Sequence, residues 1–314
     1  MIRLNLIGGL GNQMFEYAYA RALMEKFKDE EIRINPYFNM YYNLFALRKL
    51  VIWPNSLVHF KLNSKIKEMG KVEGIIKGAR DSVYYIFDVL QHRNKILTVT
   101  EFKKKNCKGI YQVASFGFTF YPCAKVNKKN KYISGLFQNE KYFKDIRKIL
   151  LEEFQVKTKP TYDNYLKMQE LDKCNAVCVH IRRGDYLLPQ FSFLNICNEK
   201  YYQRGMDYIE QHVENPVFYI FSNNKKEIEW IKQNYHFKQE VKYIELNNPD
   251  YEELRLMYHC KHFIMSNSTF SWWGSYLAPN EDKIVIAPAI WQREKYRGGV
   301  IDIYRDDMIK IDID

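Results

Sequence analysis

From Ala176 to Ala287, β-rich apolar runs alternate with stretches of helical spacing, and this rhythm limits the possible folds more than any other feature of the chain. Strands are expected at 176–181, 217–221, 241–246, 262–265 and 283–287. Helices are expected between them at 199–213, 225–235, 251–260 and 268–276. Strands joined through helices run parallel in one sheet, because each crossover helix carries the chain back to the end of the sheet where the previous strand began. In such sheets ligands bind beyond the carboxyl ends of the strands.

The amino-terminal end begins in the same way. Ile2 to Ile7 alternates as a strand, Gly8-Gly9-Leu10-Gly11-Asn12-Gln13 breaks it, and Met14 to Lys28 runs at helical spacing into a second strand at 31–35. From Pro36 to Tyr121 the pattern is mixed, with helices expected at 64–78 and 82–91 and strands near 96–100 and 111–116. A strand at 132–136 and a basic amphipathic helix at 139–154 lead into the Lys/Pro-bearing stretch Val156 to Thr161, which reads as a domain junction. A chain of 314 residues suits two lobes. The expected division is 1–155, 156–290, and a tail of 291–314 packing back on the amino-terminal lobe.

Composition narrows the function classes. The formal net charge of +11 implies an anionic partner, which nucleic acid, an anionic membrane face or a phosphorylated small molecule would each satisfy. No recognised nucleic-acid fold motif is present, and no nucleic-acid partner is expected. Much of the excess is scattered Lys, as at 103–105 and 125–131, which reads as solvated surface. No uncharged apolar stretch approaches the roughly 18 residues of a membrane span. A cytoplasmic protein is therefore expected, with at most a peripheral contact on the anionic inner membrane face. Six cysteines at irregular spacings read as reduced thiols.

Three polar clusters stand where the expected strands end. His180-Ile181-Arg182-Arg183-Gly184-Asp185-Tyr186 leaves a buried strand and presents two guanidinium groups, whose planar forks pair with phosphate oxygens. The same residues also allow an Arg–Asp pair that merely pins a loop, with His180 a satisfied core histidine. Ser266-Asn267-Ser268-Thr269-Phe270-Ser271 begins a helix, where short polar side chains cap free N–H groups that also attract anions. Ser222-Asn223-Asn224 reads either as a base or ribose contact or as an Asn turn with a helix cap. Gly9, Gly11, Asn12 and Gln13 form a glycine turn with two amides at a helix start. Asp312-Ile313-Asp314 has the Asp-x-Asp form of a metal-dependent sugar transferase, yet it ends the chain as a frayed pair. No metal is expected.

Taken together, Gly8 to Phe15, His180 to Tyr186, Phe221 to Asn223, and Tyr251 to Met257 with Ser266 to Gly274 resemble the α-1,2-fucosyltransferases of glycosyltransferase family 11. The resemblance spans Met1 to about Pro288. It implies an α/β, GT-B-like fold of two Rossmann-like lobes facing a central cleft. It also implies GDP-β-L-fucose as donor, a galactose-containing glycan as acceptor, inversion at the transferred carbon, and no cofactor or metal. Arg182 would meet the β-phosphate, with Arg183 and Asp185 shaping the pocket. Ser222, Asn223, Asn267, Ser268, Thr269 and Ser271 would contact the donor, and Gly9, Gly11, Asn12 and Gln13 would face the acceptor or cleft. Asp185 and His180 are the candidates for the general base. Related fucosyltransferases of other linkages place a Glu where Gln190 or Gly9 stands here. A fucosyltransferase of another linkage is the alternative reading.

Overall fold

The computed structural model describes residues 1–27, 30–38, 40–41, 53–91, 99–107, 110–112, 120, 131–293 and 301–314. The chain divides into two compact units, Met1–Gln155 with Arg297–Tyr304, and Val156–Tyr296 with Arg305–Asp314. Each contains one parallel sheet, the α/β class that the alternation implies.

In the first unit β1 (Ile2–Asn5), β2 (Ile32–Asn35), β3 (Ile66–Glu68), β4 (Ile110–Gln112) and β5 (Lys131–Ser134) form a sheet of order β3-β2-β1-β5-β4. Helix α1 (Leu10–Lys26) follows β1 through Gly8, whose φ of 79° suits glycine. Because α1 is buried on nearly every side, its polar residues need partners inside the unit. Glu16 accepts from the Ile7 amide, and Arg21 pairs with Glu153 at 2.9 Å. Burial raises the carboxyl of Glu16 well above the ordinary range, with the Ile7 amide opposing.

Helix α2 (Lys71–Gln91) is one element, where the spacing predicts two helices and places Ile66–Glu68 in the first of them. Parallel pairing with β2 makes Ile66–Glu68 a strand instead. Gly78, where the first of these helices is expected to end, and Gly74 within it bring α2 close to its neighbours. A Cβ on Gly74 would meet Tyr37 Cδ2 at 2.4 Å, and one on Gly78 would meet Tyr41 at 3.0 Å. Farther along the same face the buried Asp81 receives both Arg3 Nε and Nη2, at 2.9 and 2.8 Å.

Other expectations in this half change. Val99 and Thr100 begin helix α3 (Val99–Cys107), not the end of a strand, and 96–98 lie outside the described residues. The strand expected at 111–116 is β4, and 113–119 lie outside. The continuous helix at 139–154 is two 3₁₀ turns, Glu140–Tyr142 and Lys144–Ile146, followed by α4 (Arg147–Glu153). Phe143 interrupts it with ψ 8° and sets its ring 5.8 Å from Phe15. Lys131 is no surface lysine: it is buried in β5 and paired with Glu30.

The second unit contains α5 (Tyr162–Asp172), β6 (Asn175–Ile181), α6 (Glu199–His212), β7 (Pro216–Ser222), α7 (Lys225–Asn234), β8 (Val241–Tyr243), α8 (Asp250–Tyr258), β9 (His262–Ile264), α9 (Thr269–Leu277), β10 (Val285–Pro288) and β11 (Met308–Ile311). The order is β11-β10-β9-β6-β7-β8. Val177, Val179, Ile220 and Ile264 join Tyr202, Met206 and Ile209 of α6 in one core. From β6 the chain builds β7 and β8 on one side, then crosses back to place β9, β10 and β11 on the other. The direction of winding therefore reverses between β6 and β9.

The tail expected on the amino-terminal lobe divides. Arg297–Tyr304 groups with the first unit, while β11 extends the second sheet beside β10. The chain end is not frayed, since Asn198 Nδ2 donates to the Ile313 carbonyl and Arg204 to that of Asp312.

The Arg3–Asp81 pair gives a stability prediction. Removing one partner of a buried ion pair strands the other charge, at a cost of roughly 3–5 kcal/mol. Asp81→Ala is expected to lower the unfolding free energy by about that amount in urea melts of the first transition. A loss below about 1 kcal/mol would show that the pair carries little stability.

Candidate active site

At the carboxyl end of β6 the chain leaves the sheet in a fixed shape. Ser222 Oγ donates to the Ile181 carbonyl at 2.8 Å, fastening the ends of β6 and β7. The Arg183 amide donates to Asn223 Oδ1 at 2.9 Å. Gly184 turns with φ 46°, and a Cβ there would meet Asn223 Nδ2 at 2.9 Å. Glycine is thus required twice, for its backbone angle and for the approach of the Asn223 amide.

Arg183 leaves the strand end with φ −130° and ψ −112°, outside the extended region, and the two arginine side chains take different directions from this turn. Arg183 turns onto α7, where Nε donates to Glu227 at 2.9 Å and the guanidinium lies 3.1 Å from the Trp230 ring centroid. Its cation is neutralised and stacked, so it holds the loop against α7. Arg182 points away from this pair. Its Nη2 donates to Asp185 Oδ1 at 2.7 Å, its guanidinium lies 5.5 Å from the Tyr186 ring centroid, and its buried Nε has no hydrogen-bond partner.

The neighbouring strand end belongs to β9. Ser268 caps α9 by accepting from the Phe270 amide at 3.3 Å. Tyr186 Oη donates to the Asn267 carbonyl at 3.0 Å and ties the loop to this turn. The Asn267 amide nitrogen donates to the Leu194 and Trp291 carbonyls, both at 2.8 Å, so this side chain shapes the backbone. His180 is buried, with Nδ1 3.1 Å from Ser266 Oγ and in hydrogen-bond contact with Ser271 Oγ. Burial, assisted by the charge of Arg182, pushes its imidazole down to about 3. His180 is therefore neutral across the physiological range and bridges the two serines.

Of the residues expected at the site, the second unit gathers His180, Arg182, Arg183, Asp185, Ser222, Asn223, Asn267, Ser268, Thr269 and Ser271 around the adjacent ends of β6, β7 and β9. Gly9, Gly11, Asn12 and Gln13 lie in the first unit, at the start of α1. There Gln13 is fully engaged, donating to the carbonyls of Gly8 and Pro54 and accepting from the Ser56 amide. Asn12 Oδ1 accepts from Gln138.

Sequence reasoning gave Tyr186 no role of its own within the motif and overlooked Glu227 and Trp230. The spacing Asn224-x-x-Glu227 is a cap-and-acid pattern that marks Glu227 near a helix start. Nothing comparable marks Trp230. Among the described residues no three His, Cys, Asp or Glu side chains group closely enough to hold a metal ion.

The model of glycosyl transferase family 11 matches residues 89–312. An α-1,2-colitosyltransferase of Escherichia coli is 32% identical over 308 residues, covering 92% of each chain. The O-antigen biosynthesis glycosyltransferase WbnK of the same organism is 28% identical over 298 residues, covering 91% of this chain and 93% of that one. The human galactoside α-(1,2)-fucosyltransferase 1 is 34% identical over 107 residues, which is 32% of this chain and 28% of that protein. With its family model covering both the Arg182 loop and the start of α9, the chain belongs to glycosyl transferase family 11.

Proposed function

We propose that this glycosyltransferase moves L-fucose from GDP-β-L-fucose to the 2-hydroxyl of a terminal galactose, with inversion and without a metal ion. The observation that carries the reading is Arg182 at the point where the sheet reverses its winding, with one buried guanidinium nitrogen unpartnered on a loop that Tyr186 ties to Asn267, just before α9. Ligands of doubly wound sheets lie at such reversal points, and helix amino termini favour phosphate.

The chemistry follows from the charge. As the acceptor oxygen bonds to the sugar's C1, the C1–O bond to the diphosphate breaks and its electron pair leaves on the β-phosphate. The acceptor proton passes to a base or to water. Arg182 and the first amides of α9 would meet that developing charge, and they act most strongly where it is greatest. Asp185 holds Arg182 through Nη2, so its reading here is to position the arginine. His180, buried and neutral, positions the Ser266–Ser271 turn. Arg183, Ser222, Asn223 and Asn267 hold the walls through the bonds described above. The remaining donor contacts are assigned to Ser268, Thr269 and the α9 amides, and acceptor contacts to Gly9, Gly11 and Asn12 of the first unit, Gln13 being spent on Gly8, Pro54 and Ser56.

A second reading keeps the α-1,2 linkage and changes the sugar, because a relative matched along nearly its whole length is named as a colitosyltransferase. The purified chain incubated with the fucosyl and colitosyl nucleotides in turn, over a panel of galactosides, separates the two. The fucosyl reading expects an α-1,2-fucoside by product NMR. Transfer only from the colitosyl nucleotide, or a product of another linkage, overturns it.

Arg182→Lys is expected to lower kcat about 10²- to 10³-fold, since one well-placed donor is worth about 3–4 kcal/mol. Its melting temperature should stay near that of the parent. A variant turning over within a few-fold of the parent would remove the phosphate role.

For His180 the folded imidazole lies near 3 and the unfolded one near its ordinary value of about 6.5. Below that ordinary value the unfolded chain binds the extra proton. The contribution is thus complete above about 6.5 and is lost as pH falls toward 3. His180→Gln is expected to flatten the fall in stability across this window. The parent's kcat should show no limb near neutral pH that His180→Gln removes, and such a limb would make the imidazole a base.

A further inference from the structure

Helix α2 presents its apolar side outward. Val72, Ile76, Val83 and Phe87 are 73, 65, 50 and 67% exposed. At about 100° per residue they share an arc of about 60°. The opposite face, with Gly74, Gly78, Asp81 and Ser82, is the buried one, packed through Tyr37, Tyr41, Asn35 and Arg3. A water-facing helix ordinarily has the reverse arrangement.

Charge indicates what this face meets. Residues 1–155 hold 27 Lys and Arg against 14 Asp and Glu, whereas 156–314 hold 21 against 23. The whole positive excess therefore lies in the half that does not contain the Arg182 loop, and a nucleotide diphosphate at that loop does not account for it. Around the stripe, Lys65, Lys67 and Lys71 precede or begin α2, all exposed, and Arg80 flanks Ile76 and Val83. Lys67 lies 3.8 Å from Glu31 and Arg80 3.5 Å from Asp81, while Glu73 in the first turn pairs with Arg33 and Lys77, so the exposed cations outnumber the acids that border the stripe. Among the described residues no helix is long and apolar enough to cross a membrane. An apolar stripe bordered by cations on a helix that cannot span is the pattern of a helix lying in a lipid–water interface.

We propose that α2 seats the first unit on an anionic lipid surface, with Val72, Ile76, Val83 and Phe87 in the acyl boundary and Lys65, Lys67, Lys71 and Arg80 at the headgroups. The inference is independent of the donor sugar.

The test is cosedimentation of the full chain with vesicles of phosphatidylcholine alone or mixed with phosphatidylglycerol. Binding to the mixed vesicles is expected, falling with salt and by about five-fold for each of Lys65, Lys67 and Lys71 changed to Ala. Ile76→Asp with Phe87→Asp should reduce it at least ten-fold while the melting temperature holds. Absence of binding to the anionic vesicles overturns the proposal, as does equal binding by the Asp variant. A parent that is dimeric by light scattering and an Asp variant that is monomeric would give the stripe to a second copy of the chain, which also overturns it.

Discussion

The arrangement of the second unit depends on β6 lying between β7 and β9 in a parallel sheet. Because the chain fills one side of β6 before crossing to the other, the loops after β6 and β9 diverge above neighbouring strand ends. Everything at the candidate site hangs from those ends. Ser222 ties β7 to β6, Tyr186 ties the β6 loop to the β9 turn, and His180 bridges two serines of that turn. Arg182 is left as the cation that these bonds surround without satisfying completely.

The second sheet was legible because each of its central strands carries a continuous apolar run and each crossover an amphipathic stripe. The elements that escaped lack those signals. Helix α5 exposes Tyr162, Tyr165 and Leu166 and fully buries only Asn164 and Leu171, so no stripe announces it. Strand β11 is four residues long and leaves Lys310 exposed. In the first half, Gly78, where a helix is expected to end, is a packing contact, and a strand at Ile66 exists because β2 pairs with it.

The site itself was legible as a motif and illegible as a division of labour. Adjacent arginines look equivalent in sequence, yet the turn that follows β6 sends them apart, one to Asp185 and the other to Glu227 and Trp230. Polar side chains that look like donor contacts, among them Asn223, Asn267 and Ser222, spend their hydrogen bonds on backbone atoms. Composition hid a related division. The net charge implied an anionic partner without choosing among three classes, and the basic half is the one without the arginine loop.

The central claim is that Arg182 and the start of α9 receive the donor's diphosphate. A crystal structure of the full chain with GDP tests it most directly. The account predicts β-phosphate oxygens within hydrogen-bond distance of the Arg182 guanidinium and of the first α9 amides, with Arg183 still stacked on Trp230. A diphosphate seated at the Gly8–Gly11 turn, or one contacting Arg183 in place of Arg182, would contradict it.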